Sequence, residues 1–207
     1  MAQVLKKELR DRILRAALEV FAAQGYLVAT MGSIAERAGL GTASLYRYYP
    51  GKADLFAAVI PQELVDQFDA LLTRRVRALG RAASPTTDPS GEEMLQFWIT
   101  HRLEVVILLE RAAGTPYADF GARFVDNLTR LTLEQFDAVH GTSASSKTTS
   151  FVLRAIFENT RRMIASILEM HTDERDIRRA IETFWAYQIA GLRGLSAQVV
   201  ETPRRKS

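Results

Sequence analysis

Apolar positions recur every three or four residues along almost the whole chain, and this period predicts one helix after another. From about Lys6 to Gln24, Ile13, Leu14, Ala17, Leu18 and Phe21 fall on one stripe, and Gly25 follows as a natural stop. Thr30 is suited to cap a second helix with Met31, Ile34, Ala35 and Ala38 facing inward and Gly39 at its end. A third helix is expected from Thr42 to about Tyr49, closed by Pro50-Gly51. A fourth runs from Lys52 to about Leu79, with a kink or break at Pro61. Residues 80–91 read as a turn-rich linker.

The next helix is expected from about Glu92 to Ala113, apolar almost all round between Leu103 and Leu109. Thr115-Pro116 are suited to open another, to about Ala138, and residues 140–147 read as a polar loop. A helix over about Thr148 to Met170 follows. The last begins after Thr172 as cap, with Asp173 and Glu174 in its first turn, and runs to about Val200. The tail from Pro203 is expected to be disordered. No stretch alternates cleanly with a period of two, so the expected fold class is all-α.

The second and third helices, joined by a tight Gly-containing turn, form a helix-turn-helix pattern, whose second helix enters the DNA major groove. Leu45 and Tyr49, four residues apart, would point inward. Thr42, Ala43, Ser44 and Arg47 would then stay near the outer surface, where base edges are read. Arg47 has the fork that suits guanine, and the Ala43 and Thr42 methyls suit a thymine methyl. Tyr46 and Tyr48 on the flanks suit phosphate oxygens, and Lys52 adds a charge at the start of the fourth helix. Lys6, Lys7 and Arg10 are placed to meet the DNA backbone from the start of the first helix.

Charge distribution agrees with that picture. Residues 1–52 hold 8 Lys/Arg against 4 Asp/Glu, whereas residues 53–203 hold 16 against 20. A basic head on an acidic body fits a head that meets a polyanion. Arg204, Arg205 and Lys206 then restore the overall +3 and read as a solvated terminus. The chain has 207 residues, enough for a sizeable core, and no cysteine, which excludes disulfides and thiolate metal sites. No apolar run is long enough to span a membrane and no signal-peptide core opens the chain, so a cytoplasmic location is expected.

Four runs carry a family resemblance: Gly25-Tyr26, Ile34 to Leu40, Ser44 to Pro50 and Lys52 to Phe56. Over about residues 10 to 60 they resemble the N-terminal domain of the tetracycline-repressor (TetR/AcrR) family of bacterial transcription regulators. The resemblance implies an all-helical homodimer with an N-terminal three-helix DNA-binding domain and a C-terminal helical-bundle domain for ligand binding and dimerisation. It implies phosphate contacts from Tyr46, Tyr48 and Lys52, and base contacts from Thr42, Ala43, Ser44 and Arg47. It also implies repression of a palindromic operator and release by a small, lipophilic molecule. Gly41 stands where a serine is frequent in the family, so the third helix is expected to lack a side-chain cap. Ala43 stands where glycine is common.

The expected domains are therefore residues 1–52 for DNA and 53–207 for effector binding and dimerisation, joined by the helix over about 52–79. In the body, Val152, Ile156, Met163 and Ile167 share one side of their helix, and Ile181, Phe184, Gln188, Leu192 and Leu195 one stripe of the last. Those positions are expected to form a two-fold, four-helix dimer interface. A row of small residues, Ala186, Ala190 and Gly194, would let helices approach closely. Trp98, His101, Val105, Phe120, Phe124 and Phe157 are candidates for an effector pocket, with Tyr117 and Phe151 as further walls. A histidine on an apolar stripe and aromatics at helical spacing are, however, more often plain core. The histidines are dispersed without metal-ligand spacing, and no nucleophile motif or phosphate-binding glycine loop occurs, so neither catalysis nor a metal or cofactor is expected. The competing reading is a DNA-binding protein controlled by a protein partner or by no ligand.

Overall fold

The computed structural model describes residues 2–79, 88–140 and 146–201, and no strand occurs among them. The linker residues 80–87, the loop residues 141–145 and the tail with Arg204, Arg205 and Lys206 lie outside the described residues. The helices are α1 (Ala2–Val28), α2 (Met31–Arg37), α3 (Thr42–Tyr46), α4 (Lys52–Val59), α5 (Gln62–Leu79), α6 (Pro89–Thr100), α7 (Arg102–Val106), α8 (Phe120–His140), α9 (Lys147–Met170) and α10 (Glu174–Glu201).

The chain forms two compact units: Met1–Gln67 with His101–Gly121, and Phe68–Thr100 with Ala122–Ser207. Compactness thus divides the chain elsewhere than at residue 52. In the first unit α1 packs on α2, α4 and α7, and α2 packs on α3. Ile13, Ala16, Ala17, Val20 and Phe21 are buried on the inner face of α1, which explains why a helix with this spacing forms and stays. Phe21, Tyr26 and Phe56 meet edge to face or tilted, with ring centroids 5.1–5.7 Å apart. In the second unit α10 packs on α9 and α6. Phe68 lies at its centre, 5.4 Å from the Phe97 ring and 5.9 Å from that of Phe124.

Several boundaries differ from the periodic pattern, each for a local reason. The break expected at Pro61 is complete: α4 ends at Val59, and Ile60 takes φ −123°, ψ 74°, outside the helical region that a following proline disfavours. α6 starts at Pro89 rather than Glu92, with Asp88 as the acceptor for the Ser90 N–H at 2.7 Å and for the Ser90 hydroxyl. The helix expected to run through to Ala113 breaks at His101 (φ −110°, ψ 39°), where the chain passes from the second unit to the first. It resumes as α7 and widens into a π-helical turn over Ile107–Arg111.

Thr115-Pro116 do not open α8. The Thr115 side chain accepts from the Tyr117 N–H at 3.0 Å, but the backbone continues as tight turns until Phe120. The cap of α10 is Asp173, whose carboxylate accepts from the Arg175 N–H at 2.8 Å, rather than Thr172. Ser146 caps α9 by accepting from the Thr149 N–H at 3.0 Å.

Candidate functional site

The helix-turn-helix is built by three local devices. Thr30 closes a capping box with Ser33: its hydroxyl accepts from the Ser33 N–H at 3.0 Å, and the Thr30 N–H donates to the Ser33 hydroxyl at 3.1 Å. At the other end of α2, Gly39 takes φ 65°, a left-handed conformation that favours glycine. Its N–H donates to the Glu36 carbonyl at 3.0 Å and that of Leu40 to the Ala35 carbonyl at 2.9 Å, the paired bonds of a Schellman stop. Gly41 then caps α3 with no side-chain hydrogen bond. Helical bonding continues one turn beyond α3, since the Tyr49 N–H donates to the Leu45 carbonyl at 3.1 Å.

Burial sorts the side chains of this turn and helix. Leu45 and Tyr49 are buried, Ser44 and Tyr48 are half-buried, and Thr42, Ala43, Tyr46 and Arg47 are exposed. The Arg47 guanidinium rests on Ser44, donating to its hydroxyl at 3.1 Å. Arg10 donates to the Tyr49 hydroxyl at 3.1 Å, and this bond holds its pKa above the ordinary guanidinium value. The expected phosphate-facing Arg10 is therefore engaged in bracing Tyr49.

Lys52 departs most from its expected place. Its ammonium donates to the Tyr26 carbonyl at 2.7 Å and the Ala29 carbonyl at 2.8 Å, and stands 4.4 Å from the Tyr26 ring centroid. It closes the C-terminal end of α1 instead of reaching outward. Carbonyls left unpaired at a helix end attract a cation, which is the physical reason for that choice.

The second unit contains a cavity of about 290 Å³. Of the six expected pocket residues, Trp98, Phe124 and Phe157 line it. His101, Val105 and Phe120 belong to the first unit: Val105 and Phe120 are core, and His101 stands at the helix break with Nδ1 3.6 Å from Glu104. Phe151 is 72% exposed and Tyr117 donates to Gln62 at 3.0 Å within the first unit, so neither is a cavity wall. Helical periodicity puts Trp98 and His101 on one stripe, and the break at His101 separates them.

The cavity walls include Arg75 and Trp185, which are not among the residues expected from the sequence. Arg75 is only 6% exposed. A signal for it was present: Leu72, Arg75, Val76 and Leu79 sit at i, i+3, i+4 and i+7, so the arginine interrupts the apolar stripe of α5. Its guanidinium lies 4.9 Å from the Trp185 ring centroid. Burial lowers its pKa from the ordinary guanidinium value. A Cβ on Gly91 would stand 3.0 Å from its Cζ, which accounts for a glycine inside the first turns of α6.

The expected dimer residues divide as well. Ile167, Ile181 and Phe184 are buried in their own unit and are core. Gln188 donates to the Thr160 hydroxyl at 2.8 Å and, with Leu192, lines the cavity. Val152, Ile156 and Leu195 are half-buried, while Met163 is exposed. The exposed apolar positions of α9 and α10 among the described side chains are Phe151, Ala155, Met163 and Met170 on one helix and Ala186, Tyr187, Ala190, Gly191, Gly194 and Ala197 on the other. Among the described residues no group of acidic and histidine side chains is arranged to hold a metal, and no helix is long and apolar enough to cross a membrane.

Residues 13–59 match the model of the bacterial regulatory proteins, tetR family. An uncharacterized HTH-type transcriptional regulator of Pseudomonas putida, TtgW, is 46% identical over 54 residues, which is 26% of this chain and 40% of that protein. The HTH-type transcriptional repressor KstR2 of Mycolicibacterium smegmatis is 31% identical over 116 residues, 54% of this chain and 55% of that one. The chain thus spans about half or less of the length of these curated relatives. A tetR-family transcriptional regulator of known structure from Streptomyces coelicolor aligns at a TM-score of 0.44, with 22% identity, over 93% of this chain and 83% of that one.

Proposed function

We propose, from the match of residues 13–59 to the model of the bacterial regulatory proteins, tetR family, that the chain is a sequence-specific DNA-binding transcriptional regulator. In this reading it is a homodimeric repressor that leaves a palindromic operator when a small lipophilic molecule enters its body. The observation that carries the reading is α3 itself: Thr42, Ala43, Tyr46 and Arg47 are exposed together on a helix anchored by buried Leu45 and Tyr49. Exposed donors and methyls on a short helix of a helix-turn-helix suit base edges, while Tyr48 and Ser44 flank them. Two such helices in a dimer engage half-sites about 34–36 Å apart. An effector shifts DNA affinity only by binding the DNA-competent and DNA-incompetent states unequally.

The test is a titration of the protein onto the DNA upstream of its own gene at two salt concentrations, followed by fluorescence anisotropy. Saturable binding that resists competitor DNA and weakens with salt is expected. Arg47→Ala is expected to weaken operator binding by about ten- to hundredfold while leaving random-sequence binding nearly unchanged. Equal affinity of both proteins for operator and random DNA overturns base reading by Arg47.

A further inference from the structure

Charge on the cavity wall is balanced within the protein. Arg75 pairs with Asp88 at 4.0 Å and lies 4.9 Å from the Trp185 ring centroid. Arg193, the other charged residue of the wall, is exposed. An ion entering the cavity gives up its hydration and meets no unpaired buried counter-charge. Several polar side chains of the wall are engaged as well. Gln188 donates to the Thr160 hydroxyl at 2.8 Å, which donates to the Ile156 carbonyl at 2.9 Å, and Gln135 donates to the Val76 carbonyl. Two donors are left over. The indole N–H of Trp98 is buried and has no hydrogen-bond partner. Thr132 is 5% exposed, and its hydroxyl makes no hydrogen bond among the described residues, whereas Thr129 on the same helix donates to the Val125 carbonyl at 2.8 Å. A buried donor without an acceptor costs free energy until one arrives.

We propose that this cavity takes an uncharged, lipophilic carbonyl compound, whose oxygen accepts from the donors that Trp98 and Thr132 leave open. The inference rests on the reading of the cavity as the effector site. A carbonyl oxygen carries two lone pairs and no hydrogen, so it satisfies a buried donor and brings none of its own to be satisfied. The rest of the wall suits an apolar body: Leu72, Val76, Met94, Phe124 and Phe157 line it, and the Trp98 and Trp185 rings lie 5.7 Å apart. Size limits that body. A space of about 290 Å³, filled at the close-packed density of about 0.74, holds roughly a dozen heavy atoms. The ketone 5-phenylpentan-2-one has that size.

The chain's two tryptophans, Trp98 and Trp185, both line the cavity, so intrinsic fluorescence reports its filling directly and without DNA. The experiment titrates four probes on one skeleton into the full chain: 5-phenylpentan-2-one, pentylbenzene, 5-phenylpentanoate and 5-phenylpentylammonium. The ketone is expected to saturate at a concentration about fivefold below that of the hydrocarbon, the worth of one neutral hydrogen bond. Both ions are expected to bind at least about tenfold more weakly than the ketone. The double variant Trp98→Phe, Thr132→Val retains Trp185 as reporter. It is expected to bring the ketone to the level of the hydrocarbon, whose own binding changes less than about twofold. If circular dichroism shows that this variant does not fold, Thr132→Val alone, which keeps the side-chain shape, is expected to weaken the ketone about twofold and the hydrocarbon not at all. The hydrocarbon or either ion binding as tightly as the ketone, a ketone unaffected by these variants, or no saturable signal from the ketone overturns the proposal. A ketone that binds through these donors yet leaves the operator complex intact supports the cavity chemistry and overturns release by this ligand.

Discussion

Lys52 distinguishes a residue that touches DNA from one that holds the head together. Its ammonium sits on two carbonyls at the end of α1. Lys52→Met is therefore expected to lower the unfolding free energy by about 1–2 kcal/mol in a urea titration without DNA, since charge-assisted bonds to half-buried carbonyls are lost. A lysine that acts only on phosphate would leave unfolding unchanged and reduce the salt slope of DNA binding by about one. The sequence identifies Lys52 as a charge at the right place in the motif, and no pattern says that the chain's own carbonyls take it first. Arg10 is the same kind of case. Its position on α1 was legible, but its bond to Tyr49 joins residues 39 apart and exists only in the folded head. Leu45 and Tyr49 were legible because four-residue spacing on one helix decides their direction without help from the rest of the chain.

Elements were legible where local chemistry sets their ends and illegible where distant packing does. Gly25 belongs to the first kind: it interrupts α1 with φ 76° and ψ 160°, a region open essentially to glycine alone. Gly25→Ala is expected to destabilise the protein by about 1–3 kcal/mol, seen as a lower urea midpoint with an unchanged slope. Asp88 also sets a helix end by local chemistry, although the turn-rich run 80–91 hid it in the sequence. Ser90 holds the Asp88 carboxylate below the ordinary pKa range, first through its hydroxyl and then through its N–H, while burial opposes. A depressed folded pKa means stability that is present above the unfolded pKa and is lost as pH falls through the folded one. Asp88→Ala is thus expected to cost about 1 kcal/mol at neutral pH. The gap between variant and parent should close on acidification through the carboxylate range, as followed by thermal melts. The break at His101 is of the second kind. No proline, glycine or cap marks it in the sequence, and apolar spacing runs straight through, yet the chain changes unit at that residue. The pocket set divided there for that reason: Trp98 precedes the break and His101 and Val105 follow it. Arg75 escaped for a different reason, because an isolated charge on an apolar stripe gains meaning only when it proves to be buried.

At the scale of the whole molecule, the exposed faces of α9 and α10 bear on assembly. Met170 is 78% and Tyr187 74% exposed, and Ala186, Ala190, Gly191 and Gly194 continue the Tyr187 side of α10. No atom lies within 4 Å of a Cβ built on Gly191 or Gly194, so both leave open space at the surface. A large aromatic beside a row of small residues suits close approach of another helix. Against a two-fold copy of itself, such a face needs to bury more than about 1,000 Å² in total to hold a stable dimer. The stripe expected from periodicity instead served two purposes, since Ile181 and Phe184 went to the core and Leu192 to the cavity. A buried stripe and an exposed row share one helix, and periodicity ranks the more apolar of the two first. Tyr187→Glu places a charge in the proposed seam without touching the core, so the helical signal should stay unchanged while sedimentation velocity shows a monomer. Operator affinity should then fall by at least about tenfold, because two half-sites no longer act as one ligand. Arg47→Ala separates the two causes of lost binding: it should stay dimeric while losing base preference. A Tyr187→Glu protein that remains dimeric overturns this face as the seam and leaves the reading by α3 untouched.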